Sequence, residues 1–320
     1  MKFGVFYNPF HAQAETMIRF AQHAEALGFE WLMADDHIFP PKQWEQSGRE
    51  VEWDAHTILT YLAAKTTRLR LLYGCLVVPF RQPFTTAKAI ASLDVLSKGR
   101  VTLGVTPGHL KREFATFNVP IEQRGKITDE YLRIMKGLWT RDEFSFEGAY
   151  HTAKRLSLRP KPVQSPHPPI WVGGSSMRAV RRAVELGDVW FPLHFAAIPE
   201  GPPGKAPPEP TRYSDDATPE RIREGIAYGR RLSKEMGKPF TMKVAILTGV
   251  IQVMEYDVVR PFSGKRFIFS KGSPAQVIGD LRQYADAGVD HFVVGFAGRS
   301  EEGFHQQMER FAKEVMPAFR

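Results

Sequence analysis

The chain has 320 residues, with 43 basic against 35 acidic side chains and a formal charge of +8. A 43% hydrophobic and 24% charged content is ordinary for a globular protein and excludes disorder as the main state. No apolar run reaches the roughly 18–20 residues of a membrane span, and no basic-aromatic repeat or zinc spacing accompanies the scattered basic residues, so neither a membrane nor a nucleic acid is an expected partner. The N-terminal MKFGVFYNPF lacks the long apolar core of a secretory signal, and the single cysteine, Cys75, has no intrachain partner. Both features fit a cytoplasmic protein. The positive excess favours a small anionic ligand.

Short apolar strands alternate with amphipathic helices along the chain. Strands are expected at 2–7, 30–35, 69–77, 100–105, 170–174, 188–192, 241–252 and 290–296. Helices are expected at 14–28, near 54–66, and at 84–99, 122–139, 175–187, 218–237, 273–288 and 301–316. The first helix places Met17, Phe20, Ala21, Ala24 and Leu27 on one face and ends at Gly28. Eight strands rich in Val, Ile, Leu and Phe suggest a sheet buried on both faces. Their alternation with helices points to one α/β domain over 1–320, a parallel (β/α)8 TIM barrel. An open doubly wound sheet is the alternative, but no GxGxxG follows the first strand.

Three segments stand outside the repeat. Residues 36–52 form a long loop after the second strand. Residues 140–169 read as a small hairpin and a proline-rich connector. Residues 199–216, rich in Pro and Gly, read as an insertion loop, either a lid or a disordered segment. Loops after barrel strands sit at the C-terminal mouth, where active sites are built.

Four groups at that mouth can carry chemistry. Gly173-Gly174-Ser175-Ser176 precedes a helix whose first N–H groups can bind a phosphate; a Gly-Gly turn with a serine cap is the plain alternative. Asp36 and His37 follow the second strand, where an imidazole can move protons near neutral pH or simply be a satisfied polar residue. Gly74-Cys75-Leu76 and Val78 close the third strand; the apolar surroundings of Cys75 argue for a buried, inert thiol. Pro107-Gly108-His109 and the cations Lys111 and Arg112 follow the fourth strand. No HExxH, paired Cys/His set or P-loop is present, so a metal is not expected. Phe39, Trp44, Trp53, Phe191 and Phe195 are candidate walls of an apolar substrate pocket.

AEALGFEWLMADDH (24–37), FTTAKAIASLDVLSKGRVTLGV (84–105), RPKPVQSPHPPIWVGGSS (159–176) and RRAVELGDVWFP (181–192) together resemble the bacterial luciferase-like family. The resemblance runs through 1–195 and more loosely through 273–316. It implies a (β/α)8 barrel, usually dimeric, that binds FMN or the deazaflavin coenzyme F420. Asp36 and His37 match an Asp-His pair that lies against the deazaflavin in F420-using relatives. Cys75-Leu76 occupies the place of a non-proline cis peptide beneath the ring, with Gly74 and Val78 beside it. Gly173, Gly174, Ser175 and Ser176 inherit a cofactor-phosphate loop, and Pro107, Gly108 and Arg112 fall where relatives contact the cofactor tail; Lys111 beside them could help hold an anion. The deazaflavin sugar-phosphate dehydrogenases carry a proton-donating Glu where this chain has His109. They also carry a Trp where it has Pro41, with Trp44 three residues later. Those departures argue against glucose 6-phosphate. The resulting expectation is an F420-dependent oxidoreductase with His37 and His109 as proton carriers and a small-molecule substrate. An FMN-dependent two-component monooxygenase and a non-catalytic binding barrel are the alternatives.

Overall fold

The computed structural model describes residues 1–6, 13–39, 53–192, 196–197, 212–213, 217–257, 270–296 and 300–320. Within them eight parallel strands close into a barrel. They are β1 (Lys2–Phe6), β2 (Trp31–Ala34), β3 (Arg70–Tyr73), β4 (Val101–Thr106), β5 (Ile170–Gly173), β6 (Val189–Phe191), β7 (Lys243–Val253) and β8 (His291–Phe296). Val5 of β1 faces Leu32 of β2 on one side and Val294 of β8 on the other. The ring closes where Val189 and Trp190 of β6 meet Lys243 and Val244 of β7, and where β7 meets β8. The (β/α)8 expectation therefore holds.

Alternation along each strand sorts the side chains into two cores. Trp31, Met33, Leu72, Cys75, Trp171, Phe191, Ala245 and Val293 fill the barrel interior. Their strand neighbours, such as Leu32, Leu71, Tyr73 and Val172, join the layer beneath the helices. Both faces of the sheet are thus apolar, as parallel strands require.

The outer helices are α1 (Ala14–Ala26), α2 (Ala55–Ala63), α3 (Pro83–Leu96), α4 (Lys111–Thr116), α5 (Arg124–Thr140), α6 (Met177–Leu186), α7 (Pro219–Glu235), α8 (Pro274–Asp286) and α9 (Glu301–Glu314). Side-chain caps set several of their starts: Asp54 for α2, Ser176 for α6, Thr218 for α7, Ser273 for α8 and Ser300 for α9. The charged run after the fourth strand, a solvated helical turn in its plain reading, forms α4. It is a short helix just beyond the mouth of β4.

The third expected strand, 69–77, departs from expectation. It breaks into β3 and a two-residue piece, Leu76–Val77, that pairs with β4. From Leu72 to Leu76 this side advances four residues, while its partner advances three, from Thr102 to Val105. The extra residue is a bulge. Gly104 on β4 makes room for it: a Cβ there would lie 1.8 Å from the Tyr73 carbonyl oxygen. The non-proline cis peptide lies at Gly74-Cys75, one bond before the expected Cys75-Leu76.

Residues 140–169 behave as expected. Phe144–Glu147 pairs antiparallel with Thr152–Leu156. The connector beyond contains cis bonds at Arg159-Pro160 and Ser165-Pro166. The loop 36–52 is described only to Phe39, so Pro41 and Trp44 lie outside the described residues, as do Phe195 and most of 199–216. No described helix is long and apolar enough to cross a membrane.

Candidate active site

The C-terminal ends of β2, β3, β4 and β5 converge on one mouth. β2 delivers Asp36 and His37, and β4 delivers Pro107, Gly108 and His109. The His37 and His109 rings meet edge to face, 6.4 Å between centroids at 87°. Two histidines 72 positions apart in sequence (109 − 37) thus form one pair at the mouth. His37 is half-buried, and His109 is exposed by surface area but crowded by protein atoms. That partial desolvation, followed by the charge of Arg124, pushes the His109 imidazole below its ordinary value.

Asp36 is 3% exposed. Its Oδ2 accepts the Val77 N–H at 3.0 Å and its Oδ1 pairs with the Arg81 guanidinium. Arg81 also reaches Asp54 at 2.9 Å, and Asp54 caps α2. Both carboxylate oxygens of Asp36 are therefore committed to protein donors. Burial pushes this carboxyl up, against the pull of Arg81 and the Val77 N–H. Behind the same corner, the Tyr73 hydroxyl and His56 Nδ1 lie 2.7 Å apart. Asp36 acts on the mouth chiefly by fixing the chain on both sides of it.

A second buried carboxylate, Glu113, sits in the first turn of α4 and is 2% exposed. Its Oε1 accepts the backbone N–H of Ile38 at 3.1 Å and of Phe39 at 3.0 Å. These are the two residues after His37. Burial pushes the Glu113 carboxyl up; the two N–H donors oppose it and Asp36 reinforces it. The turn before α4 depends on Gly108, whose φ is +80°. A Cβ there would lie 2.7 Å from the Val77 side chain.

Cys75 is buried in the barrel interior, and burial, then Asp36, pushes its thiol well up, so it is inert as a nucleophile. The Leu76 and Val78 side chains pack in the helix-facing core, leaving their backbone to serve the mouth. Phe191 fills the barrel interior and Trp53 packs against the outer core, so both serve packing. Phe39, 41% exposed, stays at the mouth, its ring 5.9 Å from Phe117.

At the end of β5, Gly174 has φ +122° and donates its N–H to the Phe191 carbonyl. Its own carbonyl accepts the Trp190 indole N–H at 2.8 Å. The Ser176 side-chain oxygen caps α6 by accepting the Ala179 N–H at 3.3 Å. With Ser176 as the cap, its O–H proton and the N–H groups of Met177 and Arg178 in the first turn of α6 form the kind of donor set a phosphate needs. Lys111 and Arg112 are exposed at the start of α4, and no ion pair engages either among the described residues. Among those residues no group of His, Cys, Asp or Glu is placed to hold a metal ion. Arg81 and Glu113 are the site residues that sequence reasoning missed. Glu113 belongs to the charged run after the fourth strand, but only its fold partners reveal its role.

A family model described as luciferase-like monooxygenase matches residues 1–200. An FMNH(2)-dependent dimethylsulfone monooxygenase of Pseudomonas putida is 33% identical over 54% of this chain. The aligned part spans 47% of that protein, so the chain covers about half the length of this relative. An F420-dependent glucose-6-phosphate dehydrogenase of Amycolatopsis mediterranei is 24% identical over 95% of this chain and 94% of its own length. Among solved structures, the monooxygenase RslO1 from Streptomyces bottropensis superposes with a TM-score of 0.78 at 20% identity, covering all of both chains, which supports the fold. With the family model spanning well over half of its length, this chain belongs to the luciferase-like monooxygenase family, whose members include F420-dependent and FMNH2-dependent oxidoreductases.

Proposed function

We propose that this protein is an F420-dependent oxidoreductase acting on a small organic substrate. The observation that carries the reading is the His37–His109 pair at 6.4 Å, set at a strand end behind Asp36. Two features support F420 in particular. The Asp-His pair resembles that of deazaflavin-using relatives, and the exposed Lys111 and Arg112 suit a carboxylate-rich tail. Matches over nearly the whole chain exist both to an F420-dependent dehydrogenase and to an FMNH(2)-dependent monooxygenase, so the preference for F420 rests on these two features.

The residues fit such a cofactor. Ser176 and the first amides of α6 would hold its phosphate, and Lys111 and Arg112 its anionic tail. The bulge at Gly74-Cys75 would bring backbone against the flat ring. When bound, F420 supplies hydride transfer. The protein's own part is to carry the proton. His109, pushed below its ordinary value, is neutral at pH 7 and accepts a proton at an imidazole nitrogen when substrate is oxidised. In the reverse direction it returns that proton. Half-buried His37, edge to face with it, is the other candidate proton carrier.

The second reading is a monooxygenase fed reduced FMN, favoured by the 33% identity to the dimethylsulfone enzyme. A fluorescence titration against F420 and FMN tests the choice. Tight F420 and weak FMN binding is the expected result. The reverse overturns the deazaflavin reading and the weight given to Asp36 and His37.

A further inference from the structure

Among the described residues several carboxylates outside the proton chemistry anchor loop backbone: half-buried Glu25 at the base, and buried Asp94 under the connector, Glu130 beneath the hairpin and Glu113 at the mouth. Glu25 accepts the N–H groups of Thr67, Arg68 and Leu69, and Glu130 those of Ala149, Tyr150 and His151; neither set belongs to the loop that carries His37 or His109. Glu113 is different. It lies four residues after His109 in chain and binds the two residues directly after His37.

We infer that Glu113 is a positioning residue that holds the His37 turn against the His109 turn and so sets the geometry of the mouth. The inference deepens the oxidoreductase reading and rests on it for its functional meaning. One oxygen, Oε1, accepts both N–H groups. The carboxylate is 2% exposed, so no water substitutes for it without opening the turn. Phe114, the next residue, is 2% exposed and its ring lies 4.7 Å from Phe80, which fixes the base of α4 from which Glu113 reaches. The anchor is thus rigid on the α4 side, and its far end is the backbone of the loop that carries His37. Its two hydrogen bonds go to the backbone that follows His37, so it acts through that loop.

The geometry makes the side-chain requirement specific. Glutamine keeps an oxygen at the Oε1 position and can accept both N–H groups. Aspartate falls one methylene short. Leucine fills the volume and accepts nothing, leaving two backbone N–H groups unsatisfied.

The test uses the full chain as Glu113→Gln, Glu113→Asp and Glu113→Leu, each checked for folding by thermal melting. Histidine-selective NMR, assigned with His37→Gln and His109→Gln, reads the His37–His109 contact without any cofactor. Glu113→Leu should abolish the inter-ring NOE and move the His37 resonance toward a solvent-exposed position. Glu113→Gln should restore both. F420 titration should show affinity falling about tenfold in the leucine variant and within about twofold of wild type in the glutamine variant. If Glu113→Leu does not fold, the aspartate variant decides: a weakened NOE supports the inference, and an unchanged one overturns it. An unchanged spectrum in a folded leucine variant also overturns it, as does a glutamine variant as damaged as leucine, since charge rather than position would then be at work. If wild type binds neither F420 nor FMN, the cofactor reading has failed, and the NMR arm still decides the role of Glu113.

Discussion

The two ends of the barrel use the same residue type in opposite ways. At the base, Glu25 accepts three backbone N–H groups, from Thr67, Arg68 and Leu69, at 2.8, 2.5 and 2.8 Å. At the mouth, Glu113 accepts two, at 3.1 and 3.0 Å, with Asp36 nearby. Burial works to raise both carboxyls. At Glu25 the donors outweigh it and the carboxyl is held below its usual 4.5. At Glu113 they do not, and the carboxyl is pushed up. The base is built for stability; the mouth accepts less favourable charge burial and gains a fixed geometry. The base also closes tightly. Trp31 donates its indole N–H to Thr102 at 3.1 Å, and Arg100 reaches the Ala63, Leu69 and Ser97 carbonyls and the Thr66 hydroxyl.

The largest effect should come from removing a proton carrier at the mouth. His109→Ala should lower turnover by about 10²–10⁴-fold with little change in melting temperature, if the histidine acts as general acid or base. In wild type, activity in the oxidising direction should rise with pH through a value below the ordinary 6.5 of histidine, because only neutral His109 accepts a proton. Turnover unchanged in His109→Ala would favour the non-catalytic barrel instead.

Asp36→Ala should show how far the mouth supports the fold. It removes the buried partner of Arg81 and leaves the Val77 N–H unsatisfied. A loss of about 3–5 kcal/mol in urea unfolding is expected for breaking such a pair. A loss under about 1 kcal/mol would mean that Asp54 alone satisfies Arg81. At the base, Glu25→Ala should cost about 0.5–1.5 kcal/mol, since water can replace the acceptor for the exposed Thr67 and Arg68 N–H groups but less readily for buried Leu69. Its folded carboxyl lies below the unfolded value. Its contribution is therefore present above about pH 4.5 and is lost as pH falls through the folded value.

His291 gives the base its own acid sensitivity. Its ring lies 5.0 Å from Trp31 and stacks at 5.9 Å on Trp171. Burial, opposed by Asp290 and aided by Lys243 and Lys2, pushes it down to about 4. The unfolded chain therefore binds more protons between the usual 6.5 and about 4, and stability falls as pH drops through that window. His291→Phe should flatten the fall of melting temperature across the same window. An unchanged slope would place the acid sensitivity elsewhere.

The barrel was legible because its strands are continuous apolar runs and its helices carry caps that can be read locally. Ser176, Thr218 and Ser273 each precede the helix they cap. His37 and His109 were legible as polar residues at strand ends. Arg81 and Glu113 were not, because their meaning lies in partners 45 and 75 positions away. The cis bond was expected one position late; the close approach of the Tyr73 carbonyl to Gly104 beside it involves a neighbouring strand and is not legible in the third strand's own residues.

The smallest effect is also the sharpest test of the comparison. Glu113 in the fold binds its proton more tightly than in the unfolded chain. Stability therefore falls as pH rises from the usual 4.5 through the raised value. Glu113→Gln keeps an acceptor for Ile38 and Phe39 and removes the buried charge. Its melting temperature at pH 7 should equal or exceed that of wild type, with the advantage vanishing below about pH 4 as the wild-type carboxyl takes its proton. Glu25→Gln should do the reverse, losing stability at pH 7 because its charge strengthens three short hydrogen bonds. Melting curves of both variants from pH 3 to pH 8 decide the matter. If the two glutamines shift stability in the same direction, the opposite electrostatics of base and mouth are wrong. If they shift it in opposite directions, the ionised carboxylate at the mouth is kept against the interest of stability, and its return is the placement of His37.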